Sequence, residues 1–282
     1  MKMIPKPDKR LSVLCVCLLL AGCAKPSTQM PVFDAAQVVQ EESSQRASVA
    51  GRTKPLAPVP AVSFTPQELR QMRKRLALHA DRVVSAGQKL CEMMGRDPNT
   101  CIYMIRLTTK DAESLNAYAD GEKIYVTPSM MRFATQDEAL GAVLSHEYAH
   151  NIMGHIEAKK RNAVAGMVFG ALADIAAASQ GYDTGGAMSE IGVDSGIRAF
   201  SPDFEREADY VGMYVMALAQ YDITQAPNLW RQMTAADPEG AFLTGTHPSN
   251  PERSILLTYT KDEIIAKFRK GQLLVPNQAP AR

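Results

Sequence analysis

The ten residues HEYAHNIMGH, His146 to His155, contain three of the chain's five histidines. They close a longer run, TQDEALGAVLSHEYAHNIMGH (residues 135–155), that reads as one helix. Thr135 is its expected N-cap, and Asp137 and Glu138 fall in the first turn, where negative charge meets the positive end of the helix dipole. On a helix His146 and His150 lie four residues apart on one face, so both imidazoles can aim at one ion. Glu147, beside His146, is offset enough to reach a water on that ion without binding the ion itself. That geometry is what the pattern His-Glu-x-x-His encodes. The competing reading is a helix with two surface histidines.

A catalytic zinc usually has three protein ligands and a water, so one ligand must come from elsewhere. His155 lies five residues beyond His150, about 500° around an unbroken helix, and would point off the metal-facing side. A third histidine six residues on, as in metzincins, is missing: position 156 is Ile and position 153 is Met. His155 therefore reads as a neighbouring or structural residue. The stretch EREAD (205–209) offers a better ligand. Glu205 and Asp209 share a helix face; Glu205 can ligate, and Asp209 can hold a ligand imidazole in one tautomer. Glu207 is expected to point roughly the opposite way, into solvent or an ion pair. The competing reading is an amphipathic helix with a charged face. Two imidazoles and a carboxylate suit zinc.

Outward from the site, TPQELRQMRKRLALHADRVVSAGQKLCEMM opens the domain as a helix with Thr65 as N-cap, Pro66 in the first turn and Glu68 closing a capping box. His79 within it reads as a surface or packed histidine. CIYMIRLT reads as a strand, and NAYADGEKIYVT as a hairpin turning at Asp120-Gly121. AVAGMVFGALADIAAAS reads as an apolar helix, interrupted by Asp174 and too short for a convincing membrane span. The glycine-rich stretch from Gly181 to Gly196 reads as mobile and as a gate for substrate. SPDFEREADYVGMYVMALAQ predicts a helix capped by Ser201 with Pro202 first inside. APNLWRQM and KDEIIAKFRKGQLL predict two more.

The 282 residues are nearly neutral, with 31 basic and 30 acidic side chains, and no Lys/Arg cluster tracks phosphates, so nucleic acid is not an expected partner. The amino terminus is unusual. MKMIPKPDKR is basic, LSVLCVCLLL is a short apolar run, and LAGC ends at Cys23. This has the form of a signal peptide, and the run is too short to span a bilayer. Leu-Ala-Gly-Cys resembles the lipobox of bacterial lipoproteins. The resemblance implies cleavage after residue 22, lipidation of Cys23, and, with Ala24 rather than Asp following, delivery to the outer membrane, facing the periplasm. The competing reading is a plain signal peptide. Residues 23–63 read as a flexible linker, 64–274 as the domain and 275–282 as a frayed tail. Cys91 and Cys101 would pair as a disulfide in an oxidising compartment; the alternative is metal binding.

HEYAH, His155, the Glu-x-x-x-Asp of EREAD, the NAYADGEKIYVT hairpin and THPSNPER after it together resemble the M48 metallopeptidases, a gluzincin family. The resemblance covers roughly residues 65–260. It implies an α+β fold, mainly helical with a small β-sheet. It also implies one zinc ion held by His146, His150 and Glu205, with Glu147 as general base. His247, in THPSNPER, would be the family's downstream histidine, acting as a latch on the metal or stabilising the transition state; otherwise it is a turn histidine before Pro248. Arg253 would pair with an acidic group near the site. The implied function is a zinc endopeptidase tethered to the outer membrane that cleaves misfolded or misassembled envelope proteins. Two other readings are a chaperone-like assembly factor with minor proteolysis, and a peptidase held latent by His247.

Overall fold

The structure is a computed structural model and describes residues 25–50, 63–188, 190, 201–236 and 251–279. They divide into two compact units, Pro26–Glu157 with Arg198–Arg282, and Met1–Lys25 with Ala158–Ile197. The described elements in chain order are α1 (Ala35–Ala50), α2 (Pro66–Met93), β1 (Met104–Leu107), β2 (Ala117–Ala119), β3 (Lys123–Val126), α3 (Pro128–Phe133), α4 (Asp137–Ile152), α5 (His155–Ser179), α6 (Pro202–Leu218), α7 (Ala226–Ala236) and α8 (Pro251–Arg269). The chain is mainly helical with one small mixed sheet among the described residues, as the pattern of elements predicts.

The start signals act locally as expected at two helices. Thr65 Oγ1 accepts from the Glu68 N–H at 3.2 Å and the Glu68 carboxylate accepts from the Thr65 N–H at 2.7 Å, completing a capping box on α2. Ser201 Oγ accepts from the Phe204 N–H at 3.3 Å at the head of α6. At α4 the expectation fails. Gln136, not Thr135, is the cap residue, and its side chain makes no capping bond. The cause is tertiary: Arg75 of α2 donates to the carbonyls of Ala134 at 2.7 Å and Thr135 at 2.9 Å. Those contacts hold this turn extended and delay the helix by a residue or two.

The sheet runs β1-β3-β2, with β1 parallel and β2 antiparallel to β3, and Tyr118 opposite Tyr125. At the hairpin, Asp120 Oδ1 accepts from the N–H groups of Glu122 at 2.8 Å and Lys123 at 2.7 Å, and Gly121 takes φ +101. The Gly121 N–H then donates to Asn151 Oδ1 at 3.0 Å, which fastens the hairpin to the end of α4.

Helix α4 is buried on almost every side, packed by α2, by α6 and by β2. Leu140 and Leu144 are fully buried, as are Met213 and Met216 of α6. Each such side chain contributes roughly 1.5–3 kcal/mol. The closest approach of the two helices is at Gly212. A Cβ there would lie 3.1 Å from the Ser145 carbonyl oxygen and 3.2 Å from the His146 Cα. With glycine there α6 sets its first turns against the His146 face, and a Cβ would require the α4 backbone to give by a few tenths of an ångström. On the other side of α4, the Tyr148 hydroxyl donates to the Cys101 carbonyl. A disulfide joins Cys91 at the end of α2 to Cys101, just before β1.

Parts of two stretches read as loose carry structure among the described residues, while residues 23–24 and 51–62 of the linker and 280–282 of the tail lie outside them. In the expected linker, α1 forms although its sequence shows no apolar period. Its partners are polar and distant: Gln37 Nε2 donates to the Tyr259 hydroxyl at 2.6 Å, and Glu41 pairs with Arg231 at 2.8 Å. In the expected tail, Lys267 Nζ donates to the Val275 carbonyl at 2.6 Å, and the Asn277 N–H donates to the Tyr210 hydroxyl at 3.0 Å. The two stretches pair with each other. Gln29 N–H donates to Asn277 O at 2.8 Å and Ala279 N–H to Ser27 O at 3.0 Å.

The second unit contains most of α5, the loop after it and a further helical turn. Val164, Val168, Leu172 and Ile175 on α5 are exposed. The apolar helix read from the sequence extends over 25 residues. It is the one helix among the described residues long and apolar enough to cross a membrane, by length and composition. Residues 189 and 191–196 of the expected gate lie outside the described residues.

Candidate metal centre

His146 and His150 stand one turn apart on α4, and Glu205 stands in the first turn of α6. His146 Nε2 and His150 Nε2 are 3.1 Å apart. Glu205 Oε2 lies 3.5 Å from the first and Oε1 lies 3.4 Å from the second. All three side chains are buried, and their donor atoms fall within 4.8 Å of one another. The spacing in sequence predicts this meeting, and the close packing at Gly212 produces it.

Behind His146, Asp209 Oδ1 lies 2.9 Å from Nδ1. Arg253 grips that carboxylate with Nε on Oδ2 at 2.6 Å and Nη2 on Oδ1 at 2.8 Å, and its Nη1 is 3.1 Å from Glu205 Oε2. Asp209 is buried, yet Arg253 and His146 hold its pKa below the ordinary carboxylate value. It is thus an anion, and His146 Nδ1 must carry the hydrogen that Asp209 accepts. Asp209 and Arg253 thus stand in series behind His146.

Behind His150 the arrangement differs from expectation. Gly154, at φ +71, ends α4, and α5 starts again at His155. His155 is thus not one of the three donors, as expected, but the break at Gly154 rather than an unbroken helix sets its place. His155 Nδ1 lies 3.0 Å from His150 Nδ1, and His155 Nε2 lies 2.9 Å from Glu207 Oε2. Its ring stacks on Phe204, centroids 4.6 Å apart. Glu207 does not face solvent: it is 1% exposed. The signal that could have found this pair was the Met153-Gly154 step, a helix stop in the middle of the motif.

The two buttresses decide whether a cation fits. With Asp209 on His146 Nδ1 and the His155–Glu207 pair on His150 Nδ1, each Nδ1 is positioned to hold its hydrogen. Both Nε2 lone pairs then face the Glu205 carboxylate. Three acceptors meeting in a buried space repel one another unless positive charge lies between them. Burial disfavours a proton on either ring. For His150 burial prevails, and its pKa lies well below the usual imidazole value. For His146 the carboxylates of Asp209 and Glu205 outweigh burial and hold the pKa up at about 9. A site that draws a proton so strongly is one a divalent cation fits, and two nitrogens with one carboxylate oxygen are zinc donors.

Glu147 is buried beside His146. Cys23 and His247 lie outside the described residues. A cleft of about 940 Å³ is lined by Phe64, Leu69, Asp111 and Asn116, and none of the three donors lines it.

The profile of Peptidase family M48 matches residues 77–261. The mitochondrial metalloendopeptidase OMA1 of Schizosaccharomyces pombe is 33% identical over 158 residues, 54% of this chain and 44% of that protein. Its counterpart in Saccharomyces cerevisiae is 23% identical over 207 residues, 67% of this chain and 57% of that protein. That of Arabidopsis thaliana is 28% identical over 155 residues, 53% of this chain and 30% of that protein. The chain thus spans between about a third and somewhat over half of the length of these relatives.

Proposed function

The chain belongs to peptidase family M48, and from that premise we propose that it cleaves unfolded or misassembled proteins of a bacterial envelope while held by a lipid at Cys23. Membership of the family supports the coarser part of this reading, a zinc-dependent metalloendopeptidase. The observation that carries the reading is the set of three buried donors with both imidazole tautomers held from behind and Glu147 adjoining.

His146, His150 and Glu205 would hold the zinc. When bound, zinc polarises the scissile carbonyl and makes an attacking water more acidic. Glu147 takes the proton from that water and returns it to the departing amine. Asp209 keeps the His146 ring oriented through the reaction, and Arg253 keeps Asp209 ionised and in place. The sheet offers an edge at β2, the outer strand of the hairpin, on which an extended peptide can be laid by backbone pairing. Such binding reads an unfolded segment rather than a particular side chain.

The envelope location rests on the amino-terminal residues. The LAGC stretch supports cleavage before Cys23 and acylation of its thiol, with the outer membrane as destination. The named relatives are mitochondrial. Ala24, Lys25 and Pro26 alone separate Cys23 from the docked Ser27, a reach of about 14 Å. The tether would therefore be short, and the domain would sit close to the bilayer.

The test is metal content and casein cleavage by the purified chain beside Glu147→Gln. One zinc per chain in both, with cleavage about 10²–10⁴-fold slower in the variant, is the expected result. Zinc without cleavage in either would favour the latent or chaperone-like reading. Absence of zinc from the unaltered chain would overturn the site.

A further inference from the structure

The carboxylate of Glu207 is the least expected feature of the first unit. It is buried two residues from Glu205, and its two oxygens have different tasks. Oε2 takes the His155 ring. Oε1 takes four donors from one dipeptide near the amino terminus: the Ser27 N–H at 2.6 Å, Ser27 Oγ at 3.3 Å, the Thr28 N–H at 2.8 Å and Thr28 Oγ1 at 2.9 Å. The partners lie about 180 residues apart in the chain. Burying a carboxylate away from water is costly without such donors. Ser27 and Thr28 thus hold the Glu207 carboxylate where its other oxygen meets the His155 ring.

From these contacts we infer that the segment Ser27–Thr28 is a positioning element of the metal centre, acting through Glu207 and His155 on His150. The inference rests on the reading of His146, His150 and Glu205 as zinc ligands. Zinc on His150 Nε2 requires the hydrogen on Nδ1. The atom facing Nδ1 is His155 Nδ1, which must then accept, so His155 Nε2 carries the hydrogen that Glu207 accepts. Each step fixes the next. Breaking the first contact lets the Glu207 carboxylate shift off the His155 ring, and a His155 that turns or donates toward His150 costs His150 its ligating tautomer. Partners of this kind orient metal-bound histidines, and losing one typically weakens metal binding tenfold to a hundredfold. What is unusual is that the last partner comes from the segment that would carry the lipid anchor. The amino-terminal segment is therefore part of the site and not only a leash.

The chain pairing that docks this segment can be spared in the test. Ser27 O and Gln29 N–H bond residues 279 and 277. The Thr28 N–H bonds only Glu207. Thr28→Pro removes the N–H and hydroxyl that reach Glu207 and keeps the two pairing groups. We would measure the zinc dissociation constant of the full-length chain by competition with a chromophoric chelator, for wild type, Thr28→Pro, Glu207→Gln and the double variant. Thermal unfolding of each metal-free protein would run alongside. The expected result is zinc binding weaker by at least tenfold in each single variant. The double variant should be no weaker than Glu207→Gln alone, because both act through one contact. As a control, Glu41→Ala breaks the docked segment's ion pair with Arg231 and should leave zinc affinity within about threefold. Unchanged affinity in Thr28→Pro, or losses that simply add, would overturn the inference. If Glu207→Gln does not fold, Thr28→Pro against Glu41→Ala decides it alone. A wild-type chain that binds no zinc would instead overturn the ligand assignment.

Discussion

Arg253 offers the sharpest test of how the centre is held. It is 2% exposed, bidentate to Asp209, and within 3.1 Å of Glu205. Arg253→Leu keeps most of the volume but strands the buried Asp209 carboxylate and removes a cation beside Glu205. Removing one partner of a buried ion pair costs about 3–5 kcal/mol. That is a large share of a stability of about 5–15 kcal/mol. With a urea slope of about 2–3 kcal/mol/M, the unfolding midpoint should fall by about 1–2.5 M. The assay is urea unfolding followed by circular dichroism, with a chelator present so that zinc does not contribute. Arg253→Leu/Asp209→Leu should recover at least half of the loss, since an apolar pair replacing a buried ion pair is often close to neutral. The recovered protein should still bind zinc poorly, because His146 would have lost its orienting carboxylate. A loss below about 1 kcal/mol for Arg253→Leu, or no recovery in the double variant, would refute the view that the pair is interdependent and buried.

Two further outcomes follow from the packing. Gly212→Ala puts a methyl against the backbone of Ser145 and His146, which has little room to yield. Better helix propensity, worth up to about 1 kcal/mol, is opposed by an overpacking cost of about 1–3 kcal/mol. The variant should be less stable and bind zinc more weakly; a gain in stability would contradict the close approach. His79 is buried between the Tyr221 hydroxyl at 2.6 Å and Asp137 at 3.1 Å. Burial outweighs the pull of Asp137 and lowers its pKa below the usual imidazole value. A depressed histidine pKa means that the unfolded chain binds the proton more readily. The stability His79 contributes is then present above about pH 6.5 and is lost as pH falls through the folded value. The stability advantage of wild type over His79→Gln should shrink between pH 7.5 and 5. An advantage that grows in that direction would mean the Asp137 pairing prevails.

What could be read without coordinates was local or had a fixed helical period. Thr65 and Ser201 cap their helices because the capping hydrogen bond spans only three residues. Asp120-Gly121 turns the hairpin because the Asp side chain and the freedom of Gly suffice for the turn. His146, His150, Glu205 and Asp209 were legible because a four-residue spacing places side chains on one helix face whatever else the chain does. Tertiary structure decided the rest. Thr135 lost its cap to Arg75, fifty-nine and sixty residues from the carbonyls it holds. α1 formed in a stretch with no apolar period because α7 and α8 gave it partners. His155 and Glu207 became the second buttress of the centre through a helix break at one glycine and a dipeptide near the other end of the chain. Periodicity says which residues can share a face. Which buried charge meets which donor depends on contacts between distant segments, and no spacing in the sequence records those.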